Sequence, residues 1–279
     1  MHTASHDDQW PENRSHISHV PYMLPAVEQK IDRLDLQHYI IRYLLKGNYM
    51  APVVKPAHIL DVGCGTGRWI AEMAQEFPQA ELNGFDFSLP VAGETLFPPH
   101  SHFHAGNMLN GLPFEDSFFD FVHQRHFIFT IPQLSWQQLV NELVRVTRRG
   151  GWVELIELNP EFQHTGPATE RLLHMVEQTA LKLGLDPAIS HHMGTLLGIA
   201  RLKRVGTSTQ LVPLGNWGGQ PGTMAMADIL AMVQEMKPLI VVQTQTPPDE
   251  FDQLITRIVQ EVEQYRTTFT FHIAYGQRQ

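Results

Sequence analysis

The chain has 279 residues, 43% of them hydrophobic and 18% charged, with a formal net charge of −9 and a single cysteine. That length supports one large core, or one domain with an elaborated cap. The acidic balance, with no long Lys/Arg block, speaks against nucleic acid as a partner; one cysteine excludes an internal disulfide, so a reducing cytoplasm is the expected setting.

Residues 1–20 are polar, His-rich and without period, which reads as a flexible arm. They contain no basic region followed by an apolar stretch, and nothing downstream reaches the roughly 18 consecutive apolar residues of a membrane helix. Neither a signal peptide nor a membrane partner is expected. From Leu24 the pattern turns helical, with Ile31, Leu34, Tyr39, Ile41, Leu44 and Leu45 at helical spacing and Gly47 placed to stop the helix, so residues 21–57 read as an N-terminal helical cap. Tyr39 is expected to pack into the core.

From His58 strands and helices alternate. HILDVG is a buried-strand run, three glycines follow, and RWIAEMAQEF is a helix. ELNGFDFS (81–88), HFHAGN (102–107) and FFDFVHQRH (118–126) are strands; SWQQLVNELVRVT (135–147) is a helix; a Gly150-Gly151 turn leads to the strand WVELIELN (152–159). Such alternation means βαβ units and a doubly wound parallel sheet, an α/β fold whose core spans residues 58–159. After Asn159 the rhythm breaks, and residues 160–205 are too long for a simple connection, so they read as a cap or lid insertion. Residues 206–279 are expected to complete the sheet: a strand over QLVPLGNW, helices near 222–236 and 248–265, and a last strand TFTFHIAYGQ.

The glycines Gly63, Gly65 and Gly67 form G-x-G-x-G between an apolar strand and a helix. Glycine permits positive φ and close approach of a ligand, and the helix N-terminus beyond offers unpaired N–H groups. A nucleotide-type ligand, a phosphate or a tight turn are all compatible with that pattern. No Lys-Ser or Lys-Thr follows, which removes the phosphate loop, and the spacing is shorter than the G-x-G-x-x-G of nicotinamide dehydrogenases. Asp86, 19 residues beyond Gly67 at the end of the second strand, is placed to accept both hydroxyls of an unphosphorylated ribose.

ILDVGCGTG followed by FDFS resembles the first two motifs of the class I S-adenosylmethionine-dependent methyltransferases. GNMLNGLPFEDSFFDFVHQRH and RRGGWVELIELN resemble their later segments in the same order. A wider likeness over about residues 21–160 and FHIAYG points to the branch that includes fungal regulators of secondary metabolism. The resemblance implies a seven-stranded Rossmann-like sheet with a helical cap and S-adenosyl-L-methionine as cofactor. It also implies that the Gly63, Cys64, Gly65 and Gly67 loop packs on the methionine part, with Asp61 near its ammonium group. Asp86 and Phe87 would meet the ribose end, Asn107 and Met108 the adenine, and Gln124 and Arg125 the methionine end. Asn107 stands where the family commonly has Asp, and Cys64 is a small spacer.

On the acceptor side, His123, His126 and Glu157 sit at C-terminal strand ends, where ligands of open α/β sheets bind, and are the candidate bases for removing a proton from an OH or NH acceptor. His191 and His192 in the insertion, and Tyr22 ahead of the first helix, are candidate substrate contacts. His100, His102 and His104 alternate along a strand but would meet one metal ion only if it curved, and Glu157 with Asn159 does not provide the sheet-edge carboxylate cluster of a metal-assisted methyltransferase; no metal is expected. The chain thus reads as a cytoplasmic methyltransferase, monomer or homodimer, acting at O or N of a small-molecule acceptor. The alternative is a regulatory or interaction protein of the same fold with little catalysis.

Overall fold

The computed structural model describes residues 31–90 and 97–279. The arm expected over residues 1–20, and Tyr22, lie outside them. The elements in chain order are α1 (Ile31–Leu45), β1 (His58–Val62), α2 (Arg68–Glu76), β2 (Glu81–Asp86), β3 (Ser101–Ala105), β4 (Phe119–Arg125), α3 (Trp136–Val146) and β5 (Thr147–Gln163). They continue with α4 (Pro167–Lys182), α5 (Met193–Ile199), β6 (Lys203–Pro213), α6 (Gly219–Thr244), α7 (Pro248–Tyr265) and β7 (Thr268–Gln277).

The seven strands form one sheet of order β3-β2-β1-β4-β5-β7-β6. β1 to β5 pair in parallel, and β7 lies antiparallel between β5 and β6. The sheet is therefore mixed where the sequence rhythm suggested only parallel strands. The reason is connectivity: β6 runs to the same edge as β5, α6 and α7 fold there, and the chain re-enters from that edge and must run back. The central strands are buried on both faces, as the apolar runs require: β1 and β4 are buried almost throughout.

One face packs against α2, whose Trp69, Ile70, Met73 and Ala74 lie on one stripe and meet Ile59, Leu82 and Phe121. The other face joins Leu60, Val122 and Leu155 to α3 and the later helices in a larger core. α6 packs on α1 and α4, and α4 on α7, so these four helices gather over the C-terminal strand edge, while α5 lies against β6 and β7. α7 buries Phe251, Leu254, Ile255, Ile258 and Val262 at helical spacing. Several boundaries differ from the sequence reading: β5 runs from Thr147 through the expected Gly150-Gly151 turn to Gln163. α6 continues through Pro238 to Thr244, held by buried Met236 and Ile240 on either side of the proline. β6 begins at Lys203, in a polar stretch whose pairing with β7, more than its composition, makes it a strand. Among the described residues no helix is long and apolar enough to cross a membrane.

Candidate active site

The strand order reverses between β1 and β4, and in open α/β sheets the crevice at that point receives the ligand. A cavity of about 1020 Å³, open to solvent, lies there. Its floor is Gly63–Thr66 after β1. Asp86 and Phe87 after β2 and Gly106–Leu109 after β3 form one wall; Arg125, His126, Phe127, Thr130 and Ile131 after β4 form the other. Leu34 and Gln37 of α1 form the roof.

The loop after β1 is shaped by backbone conformation. Gly63 has φ +80°, and a Cβ there would stand 2.3 Å from the Phe127 ring, so only glycine fits both the turn and its neighbour. The N–H groups of Gly63 and Cys64 donate to the Phe85 carbonyl, and that of Gly65 donates to Asp86 Oδ2 at 2.8 Å. Asp86 thus holds the loop while bordering the cavity. Cys64 is buried against β2, where a Cβ on Gly84 would come within 2.9 Å of its sulfur. Gly67, at φ +73°, turns the chain into α2 and does not line the cavity. Asn107 uses its Oδ1 to accept from the Leu109 N–H at 2.9 Å, forming the short turn that carries Met108.

α1 is fastened over this loop. Asp35 accepts from Thr66 Oγ1 (2.8 Å) and, bidentately, from Arg68 Nε and Nη2 (3.0 and 2.7 Å). Arg125 Nη2 donates to His38 Nδ1 at 3.1 Å, and the other ring nitrogen of His38 lies 3.2 Å from Glu72. Burial, with Arg125 and other cations nearby, pushes the His38 pKa down to about 2, so this imidazole is neutral and accepts from Arg125. Arg33 and Gln37, also buried, face Asp228 of α6, whose carboxyl burial raises to about 7. Tyr39, expected in the core, is instead 38% exposed, because α1 turns its polar side chains toward the cleft.

The three candidate bases occupy different places. His126 lines the cavity, at φ +62°, with its ring edge-on to Phe271 and its Nε2 buried without a partner. Burial, then Arg125 and Arg33, hold its pKa well below 6.5, so it is a neutral imidazole at pH 7. His123 is fully buried on the α2 side. Strand register sets it beside Asp61, and its Nδ1 bonds Asp61 Oδ1 at 2.8 Å while its ring stacks on Trp69 at 4.1 Å. Glu157 is fully buried too, and its carboxylate accepts from Gln124 Nε2 (2.6 Å), Phe127 N–H (2.8 Å) and Ile128 N–H (2.9 Å). His123 and Glu157, expected as bases, therefore do not border the cavity: Glu157 holds the segment after β4 that does, and His123 ties β4 to β1 beneath it. Asp61 and Gln124, their partners, do not border it either.

His191 and His192, expected at the substrate, are exposed away from this cavity. His191 pairs with Glu161 at 3.4 Å and rests edge-on against His272. Along β3, His102 pairs with Glu81 and His104 with Asn83; among the described residues no three His, Cys, Asp or Glu side chains are arranged to hold a metal ion. Sequence reasoning missed Leu34, Gln37, Thr130 and Ile131. Leu34 and Gln37 were signalled by their i, i+3 spacing on α1, whereas beyond Arg125 and His126 nothing in the sequence marked the segment after β4 as a cavity wall.

A glycine turn after β1, a carboxylate at the end of β2 and a seven-stranded sheet with antiparallel β7 define the methyltransferase type of Rossmann-like fold. Residues 59–151 match the family model described as methyltransferase domain. The chain is 27% identical to N-methyltransferase sirN of Leptosphaeria maculans over 92% of its own length and 94% of that protein. It is 34% identical to secondary metabolism regulator LAE1 of Cochliobolus heterostrophus, but over 50% of this chain and 47% of that one. Its fold is that of Haemonchus contortus phosphoethanolamine N-methyltransferase 2, solved with S-adenosyl-L-methionine, at a TM-score of 0.51 and 15% identity, covering 89% of this chain and 53% of that one. Residues 59–151 thus carry a methyltransferase domain, and these likenesses together support a class I S-adenosylmethionine-dependent methyltransferase near the branch of the fungal secondary-metabolism regulators.

The residues present fit that cofactor. Asp86 brings a carboxylate to the wall where a ribose would lie, Met108 and Leu109 bring apolar faces, and His126, with a buried and unpartnered ring nitrogen, lines the same cavity.

Proposed function

We propose that the chain transfers a methyl group to a nitrogen or oxygen of a small-molecule acceptor bound at the His126 end of the cavity. When bound, S-adenosylmethionine supplies a methyl carbon already activated on sulfur. The Gly63–Gly65 turn and the Arg125 guanidinium would receive its methionine end, Asp86 and Phe87 its ribose, and Asn107 and Met108 its base. Glu157, with Gln124, holds the segment after β4 in place, and the Asp61–His123 pair joins the strands beneath. His126 accepts a hydrogen bond, and then the proton, from the acceptor N–H or O–H through Nε2. Its neutral state keeps that lone pair available. The observation that carries this reading is the unpartnered, buried Nε2 of a neutral imidazole lining the same cavity as Asp86.

Nitrogen is favoured because the likeness to sirN, an N-methyltransferase by name, runs through nearly the whole chain, including the helices over the cleft. The single cysteine fits a reducing, cytoplasmic setting. The likeness to LAE1 supports a second reading, a cofactor-binding regulator, and the test separates the two.

Protein incubated with methyl-labelled S-adenosylmethionine and extract from its source is expected to label small molecules, identified by mass spectrometry. His126→Ala should lower single-turnover product formation by roughly tenfold or more. Its cofactor affinity, by calorimetry, should stay unchanged. The wild-type rate should be level above about pH 6.5, the ordinary imidazole value, because His126 titrates lower. Label found only on protein would select the regulator, and an undiminished rate in the variant would remove His126 from the chemistry.

A further inference from the structure

A second, narrower and apolar-walled pocket lies among the helices over the cleft, between α4, α6 and α7 and the ends of β5 and β6. Phe129, Leu158, Leu172, Ile229, Val233 and Ile258 are among its lining residues. The one polar side chain in the lining, Thr169, donates its hydroxyl to Glu261 Oε2 at 3.0 Å, and its backbone N–H donates to the same oxygen at 2.9 Å. No side-chain donor is therefore left for an occupant and only one hydroxyl lone-pair site, so a polar or charged occupant would give up its water for little in return. Leu173 and Leu230 are only half-buried, so the chamber has a partly open rim, and Met226 and Met232 give its wall unbranched side chains that adapt to different shapes.

Its position ties it to the site already described. Residues 126–131 form a single segment after β4. His126, Phe127, Thr130 and Ile131 face the first cavity, and Phe129 faces the second. Glu157 pins this segment at Phe127 and Ile128, which fixes the partition on its cofactor side.

We infer that the second cavity receives the body of the methyl acceptor, and that the acceptor is an uncharged molecule with a bulky apolar portion whose reacting atom reaches His126 past Phe129. This rests on the proposed function for the reacting end, but the chamber's preference for apolar ligands follows from its lining alone.

Two arms separate these. In the first, the protein with S-adenosylhomocysteine is titrated with the uncharged fluorophore N-phenyl-1-naphthylamine. Wild type should bind it with enhanced emission. Val233→Trp, which fills the chamber, and Leu230→Phe, at its half-buried rim, should weaken binding at least tenfold and threefold respectively. Cofactor affinity and far-ultraviolet dichroism should be unchanged, and the milder Leu230→Phe decides the matter if Val233→Trp does not fold. In the second, the labelled products formed from extract should be retained on a reversed phase, and Leu230→Phe should lower their formation without changing cofactor affinity. No fluorophore binding to wild type, or equal binding to both filled variants, overturns the chamber. Undiminished formation of labelled product in folded, filled variants overturns its use by the acceptor. If wild type labels nothing, the proposed function fails with it, while the fluorophore arm still decides the chamber.

Discussion

Three residues of similar chemistry at neighbouring strand ends, His123, His126 and Glu157, were equal candidates from sequence, because period-2 alternation tells which face a side chain takes but not what already occupies that face. His123 turns to the α2 side and meets Asp61 and Trp69. Glu157 meets three donors. Only His126, just beyond the strand at positive φ, is brought to the cavity with a ring nitrogen unpaired. The distinction is measurable. Glu157→Ala leaves Gln124 and two backbone N–H groups without an acceptor in a buried place, at about 1–3 kcal/mol for each unsatisfied group. Denaturant unfolding should therefore show a loss of roughly 3 kcal/mol or more, with Glu157→Gln losing less because it keeps an acceptor. A proton-accepting residue with no structural duty would leave the unfolding midpoint where it was.

At the level of elements, the sequence was most legible where one pattern ran without interruption. α7 and β7 fall where the spacing of Phe251 to Val262 and the run TFTFHIAYGQ place them. It was least legible where tertiary pairing overrides composition: β6 starts in KRVGTSTQ, α6 passes its proline, and β7 runs antiparallel because the helices before it end at the cleft edge. α1 was read as amphipathic, yet its most consequential face is polar and buried: Arg33, Gln37 and His38 point to the cleft and α6, and Asp35 grips the glycine loop. That grip predicts a linked effect. Asp35→Ala removes a partly buried, bidentate pair and should cost about 1 kcal/mol, between an exposed pair and a charged hydrogen bond in the interior. Leu34 and Gln37 roof the cavity on the same helix, so amide exchange along α1 should quicken and cofactor affinity fall by about fivefold, the equivalent of that energy. Exchange and affinity equal to wild type would mean that α1 is held by its apolar contacts alone.

At the scale of the whole molecule, ionisable groups shifted by burial among the described residues set opposite dependences on pH. Burial raises Glu154, Glu157 and Asp228 to about 7, whereas their counterparts in an unfolded chain titrate near 4. The native protein keeps these protons where the unfolded chain has lost them, so the stability they contribute is full in acid and disappears as pH rises toward 7. Burial lowers His38 to about 2 and holds His123 and His126 below 6.5, so the unfolded chain takes up protons that the native one refuses. Their contribution is full above about 6.5 and is lost as pH falls. Between about pH 4.5 and 6.5 the two kinds act against one another, each fully engaged group at about 1.4 kcal/mol per pH unit, so the profile there flattens. Below about 4.5 the three buried carboxyls are protonated in both states and no longer offset the imidazoles, and Glu142, held low by Arg145, loses its contribution too, so stability falls. Through pH 7 it declines slightly as the carboxyls finish ionising. Urea midpoints measured from pH 4 to 8 should trace that plateau and its two unequal shoulders. Glu157→Gln removes one of the opposing carboxyls, so the plateau should tilt, with stability rising toward neutral pH by about 1.4 kcal/mol per unit. A plateau that stayed level in the variant would mean that Glu157 is ionised throughout and that its three donors, and not burial, decide its charge.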